Sequence, residues 1–67
     1  MRLSTEKLML EMANACVTVT ELAKFSNVSR QSLTKFLNGK GNPKPATIGM
    51  IAKALDVSVE DLIERRP

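Results

Sequence analysis

The sequence has no tryptophan, no tyrosine and no histidine, and its single cysteine is Cys16. One cysteine excludes an internal disulfide, and without histidine or a second thiol there is no ligand set for a structural zinc. The lack of histidine also removes the commonest general base. No glycine-rich phosphate loop follows a strand and no nucleophile motif is visible, so the chain reads as a non-enzyme without a cofactor. Long apolar runs are missing as well: none approaches the roughly 18 residues of a membrane-spanning helix, and the opening Met1-Arg2-Leu3-Ser4-Thr5-Glu6 leads into no signal-peptide core. No membrane association is expected, and the expected compartment is the cytoplasm, where a lone thiol is ordinary. What is present, in 67 residues that are 43% hydrophobic and 25% charged, is globular composition and room for one domain, residues 1–67. A chain this short buries only about 60% of the surface it exposes when unfolded. Its stability must come from efficient helix packing, from oligomerisation, or from both.

Acid is absent from one long stretch. Residues 1–21 carry a net charge of −1 and residues 56–67 a net −2, whereas residues 22–55 hold Lys24, Arg30, Lys35, Lys40, Lys44 and Lys53 and no acid, a net +6 in a chain whose total is +3. Positive charge concentrated in this way suits a polyanion such as nucleic acid. A solvated lysine face is the other reading that composition leaves open.

Helix start signals recur at short intervals. Thr18-Val19-Thr20-Glu21 has capping-box spacing, Ser58-Val59-Glu60-Asp61 repeats it with a shorter acid in the last place, and Ser29 is a suitable N-cap for Arg30-Gln31-Ser32-Leu33. Pro45 fits a first helical position, where its missing N–H costs nothing. Between them stand stop signals: Asn27, which tolerates a left-handed conformation, Gly39 and Gly41 around Lys40, and Pro43. Five short helices are predicted, at about Thr5–Ala15, Val19–Phe25, Arg30–Asn38, Pro45–Leu55 and Val59–Glu64. Apolar residues recur with helical spacing: Leu8 and Met12; Leu22 and Phe25; Leu33, Phe36 and Leu37; Ile48, Ile51, Ala52 and Leu55; Leu62 and Ile63. No segment alternates with period two, so the fold class is all-α. Between the second and third helices only Ser26-Asn27-Val28 and the cap Ser29 intervene, which forces a sharp turn and gives helix-turn-helix spacing. Many all-α domains contain short helix pairs, so this spacing alone is not decisive.

The landmarks Thr18, Glu21-Leu22-Ala23, Asn27-Val28-Ser29-Arg30, Gly39-Lys40, Asn42-Pro43, Ile51-Ala52-Lys53-Ala54-Leu55, Val57-Ser58 and Asp61-Leu62 resemble, in order and without a gap, the Cro/repressor-type (XRE-like) helix-turn-helix domains. The resemblance runs from about Val17 to Ile63, and helix one matches less well because Leu8-Met9-Leu10 blurs which face is core. It implies a compact, five-helix, lambda-repressor-like domain that binds double-stranded DNA sequence-specifically and regulates transcription, as a repressor. In such domains the third helix enters the major groove while the second crosses the phosphate backbone. Carried over position by position, Arg30, Gln31, Thr34 and Lys35 become the candidates for base contact: Arg and Lys donate to guanine O6 and N7, and Gln pairs with adenine. Arg30, near the helix start, is open to a phosphate role instead. Thr18, Thr20, Ser29, Ser32, Asn38, Lys40 and Lys44 become the candidates for backbone contact. Val19 departs from the pattern, because many relatives carry at this position a Gln that contacts phosphate, which valine cannot do.

A single recognition helix reads few base pairs, so a homodimer on a palindromic operator is expected. The resemblance places its interface between Leu55 and the fifth helix, with Val57, Val59 and Ile63 as candidate contacts. A competing class uses the same fold as an antitoxin or accessory module whose main partner is a protein. Cys16 reads as a small, semi-buried hydrophobe without a redox role, and the four methionines read as core filler, with Met9 and Met50 as candidates for the surface. Gly49, inside helix four, reads as an exposed position that tolerates glycine or as the site of close approach by a partner backbone.

Overall fold

The computed structural model describes residues 1–64. Four α-helices follow one another: α1 (Thr5–Ala15), α2 (Val19–Ser26), α3 (Arg30–Leu37) and α4 (Pro45–Leu55), then a single 3-10 turn at Val59–Asp61. Their boundaries are set by caps. The Thr18 hydroxyl accepts from the Glu21 N–H at 3.1 Å while the Thr18 N–H donates to Glu21 Oε1 at 2.9 Å, completing the predicted capping box. Ser4 caps α1 by accepting from the Lys7 N–H, and Pro45 opens α4 after an N-cap, Lys44, that makes no side-chain hydrogen bond. Asn27 ends α2 in the left-handed region, φ 64, as expected; Cys16 and Asp56 end α1 and α4 in the same way. At the end of α3, Gly39 has φ 75, and its N–H donates to Phe36 O while the Lys40 N–H donates to Lys35 O. These two bonds form a Schellman closure that a residue with a Cβ would strain.

The core is built from Leu3, Leu8, Met12, Leu22, Val28, Leu33, Ile48, Ile51, Ala52, Leu55 and Leu62. Helix α2 packs against α3 and α4, and α1 packs across the same pair. Leu8, Leu22, Leu33, Ile48, Ile51 and Leu62 are sealed from solvent, and truncating such a side chain to Ala costs about 2–5 kcal/mol.

Several expectations are corrected. The predicted fifth helix over Val59–Glu64 is one 3-10 turn, because residues 62–64 are claimed by the other end of the chain. The Ser4 N–H donates to Leu62 O at 2.7 Å, the Glu64 N–H donates to Arg2 O at 2.8 Å, and Leu3 and Ile63 form an isolated antiparallel bridge. Within the turn, the Asp61 carboxylate accepts from both the Ser58 N–H and the Ser58 hydroxyl. Helix α2 runs one residue further than predicted, to Ser26, and α3 stops at Leu37 with Asn38 as its C-cap.

Phe25 is not core: it is 62% exposed, because α2 buries Leu22 and Ser26 one turn apart. Ser26 is small enough for the turn to close over it, and its hydroxyl accepts from the Val28 N–H. Of the methionines only Met12 fills the core; Met1, Met9 and Met50 are exposed, as is Leu10. Cys16 is exposed, not semi-buried, since a left-handed cap at the end of α1 turns it off the packed face. A Cβ on Gly49 would meet nothing within 4 Å, so the protomer itself imposes no need for glycine there. No helix among the described residues is long and apolar enough to cross a membrane.

Candidate nucleic-acid interface

Helix α3 divides cleanly by face. Leu33 is sealed in the core, with Phe36 and Leu37 half-buried beside it, whereas Arg30, Gln31, Thr34 and Lys35 are all exposed. These four, with Asn38 and Lys40, line one open concavity of about 520 Å³. The side chains named as base readers are therefore brought together, with two of the expected backbone contacts at their rim. Thr34 donates its hydroxyl proton to Arg30 O at 2.9 Å, so outward it offers a lone pair and a methyl group.

The start of α3 holds itself together. The Ser29 hydroxyl accepts from the Ser32 N–H at 3.1 Å and donates to Ser32 Oγ at 2.8 Å. That spends the Ser29 proton internally and leaves the Ser32 proton for an outside acceptor. Among the described residues the backbone N–H groups of Arg30 and Gln31 make no hydrogen bond and remain as open donors of the first turn, the usual anion-facing groups of a helix start. At the start of α2 the arrangement is less open. The Glu21 carboxylate already sits at the positive end of the helix, held by the Thr18 N–H, so a phosphate at Thr18 and exposed Thr20 shares that end with a negative charge.

Lys44 is exposed at the head of α4 and does not line the α3 concavity. Gly41 and Asn42, in the loop between, make no hydrogen bond through their N–H groups among the described residues. Residue types alone do not reveal these open amides, since nothing in them says whether a loop donor is satisfied. Val57, Val59 and Ile63 are half-buried and pack against the core of their own protomer. The larger apolar exposures lie elsewhere, at Met1 ahead of α1 and on α1, α2 and α4. Among the described residues no group of His, Cys, Asp and Glu side chains is placed to hold a metal ion.

Comparison with known proteins matches this geometry. A family model described as Helix-turn-helix matches residues 17–62. Two proteins of Bacillus subtilis (strain 168) are each 46% identical over 48 residues: an uncharacterized HTH-type transcriptional regulator, RghRB, and an HTH-type transcriptional repressor, RghR. The matched region is 70% of this chain but 34% and 36% of those proteins, so the chain spans about a third of the length of the curated relatives it matches. No solved structure matches it. The matched span opens just before the Thr18 capping box and closes at Leu62, enclosing α2, the Asn27 turn and α3, and the chain belongs to the helix-turn-helix family.

Proposed function

We propose that this chain is a transcriptional regulator that binds double-stranded DNA sequence-specifically, with α3 in the major groove, and that it acts as a repressor by occluding transcription. The observation that carries this is the single exposed face on which Arg30, Gln31, Thr34 and Lys35 stand together, backed by Leu33 in the core. In this reading those four contact base edges. Thr18, Thr20, Ser29, Ser32, Asn38, Lys40 and Lys44 position the domain on phosphates. The names of the two relatives support the assignment of regulation and of repression.

Helix α3 has eight residues and rises only about 12 Å, which limits it to a few base pairs. Specificity at genomic scale then calls for two half-sites about one helical turn apart, so the acting form is a homodimer on a palindromic operator, paired through Val57, Val59 and Ile63. Selection of bound sequences from a random DNA pool tests the whole proposal. Enrichment of an inverted repeat with half-site centres roughly 10 base pairs apart is the expected outcome. Recovery of no consensus would sink the specific-binding reading, and a single unrepeated half-site would sink the dimer.

One observation favours a second reading, a protein-interaction module: Phe25 on α2 and Met9 and Leu10 on α1 are each more than half exposed, more apolar surface than a small soluble domain needs to show. Salt separates the two. DNA affinity carried by several lysines falls steeply between about 50 and 200 mM salt, whereas apolar docking hardly changes.

A further inference from the structure

Folding brings Arg2 beside the basic middle of the chain, although in sequence it belongs to the acidic first third. The Arg2 backbone is fixed by the Glu64 N–H donating to Arg2 O at 2.8 Å, and the bridge between Leu3 and Ile63 holds this N-terminal segment in place. At the far end of α3 the Thr5 hydroxyl, at the start of α1, donates to Phe36 O at 2.9 Å, which docks the head of α1, directly after the N-terminal segment, beside the loop that follows the recognition helix. The result is a cleft of about 190 Å³ whose lining includes Arg2 together with Lys40, Gly41 and Asn42. The Arg2 guanidinium and the Lys40 ammonium make no hydrogen bond among the described residues, nor do the N–H groups of Gly41 and Asn42. Gly41 sits at φ 79, a left-handed conformation that a residue with a Cβ would strain, and this holds the loop on its path beside the cleft.

We propose that this cleft seats a backbone phosphate of bound DNA, gripped by Arg2 from the N-terminal segment and by Lys40 with the Gly41 and Asn42 amides from the loop. Arg2 supplies a planar fork suited to phosphate, and its exposed position avoids the desolvation that would hold it inside the protein. The cleft has one opposing group. Glu64 lines it as well, and its carboxylate lowers the local potential and competes with the phosphate for Arg2. The site therefore adds to the grip of α3 but carries no base information, and Glu64 sets how strongly it does so.

This inference rests on the DNA-binding reading, and the experiment separates the two. Affinity of the full chain for a selected operator and for an unrelated duplex is measured across salt concentrations for wild type, Arg2→Ala, Arg2→Lys and Glu64→Gln. For Arg2→Ala at about 0.15 M salt the affinity falls roughly fivefold on both duplexes, and the slope of log affinity against log salt becomes shallower by about 0.9, as expected when one fewer phosphate is neutralised. Arg2→Lys restores most of the loss, and Glu64→Gln binds both duplexes more tightly than wild type. Because the N-terminal segment is held through the Arg2 backbone, these variants keep the wild-type melting temperature. An Arg2→Ala protein with unchanged affinity and slope, beside a wild type that binds DNA, overturns the phosphate seat alone. Loss of affinity with an unchanged slope assigns Arg2 a structural role and overturns it too. A wild type that binds neither duplex removes the DNA-binding reading and the seat with it.

Discussion

Helix α3 and the segment 57–64 are held in place by different kinds of bond. The caps of α3 close within a few residues: Ser29 bonds Ser32 at one end, and Gly39 and Lys40 bond Phe36 and Lys35 at the other. Segment 57–64 has a local turn, but its course after Asp61 is decided by Arg2, Ser4 and Lys7, whose ammonium donates to Ile63 O across 56 residues of sequence. The first region keeps its shape wherever the core carries it. The second has a shape only because the two chain ends meet. A recognition surface is best built on the first kind of element, since reading bases depends on side chains held by a rigid, self-closed helix.

Removing residues 1–3 tests this contrast most severely. It deletes the buried Leu3 side chain and the Arg2 carbonyl that receives the Glu64 N–H, at about 2–3 kcal/mol for the leucine and about 1 kcal/mol for the bond. Thermal unfolding should register a loss of that combined size, with the Glu64 amide exchanging freely and α3 retaining most of its helicity. A melting temperature close to that of the full chain would show that segment 57–64 holds its own shape.

Next in size is the partition of the α3 face. Arg30→Ala and Lys35→Ala should each reduce discrimination between operator and unrelated DNA by about 1–3 kcal/mol, read as a ratio of dissociation constants at fixed salt. Lys40→Ala and Lys44→Ala should weaken both complexes alike and flatten the salt dependence. Equal losses on every duplex for all four variants would dissolve the distinction between reading and gripping.

The smallest effect belongs to a local cap. Thr18→Ala removes the acceptor for the Glu21 N–H and should cost about 1 kcal/mol in urea unfolding. The Glu21 carboxylate keeps the bond it accepts from the backbone N–H of residue 18, so only half of the capping box is lost. If the cost exceeds that of removing residues 1–3, the ranking of local below non-local support is inverted.

Elements closed by short-range chemistry are legible in the residues themselves. The Thr18 capping box, the Ser29 cap, the left-handed Asn27 and the glycine that ends α3 all act over three or four residues, and each forms as its spacing predicts. The exposed face of α3 follows from periodicity once its boundaries are known. Phe25 and Ser26 depart from expectation because the apolar pattern favours the larger side chain, whereas the tight turn into Val28 leaves room only for the smaller one. The fifth helix fails to form although its capping signal is present, because the competing bonds from residues 2 and 4 are not visible in that signal.

By itself the sequence determined the four α-helices, the Thr18 and Ser29 caps, the left-handed Asn27 and the polar face of α3, because such caps and helical periodicity are properties of neighbouring residues. Only the tertiary structure decided that residues 62–64 bond to the N-terminal segment instead of continuing a helix, that Phe25 faces solvent, and that Arg2 lines the same cleft as Lys40. Those outcomes depend on which distant backbones the core brings within hydrogen-bonding distance, and no local pattern of residue types encodes that meeting.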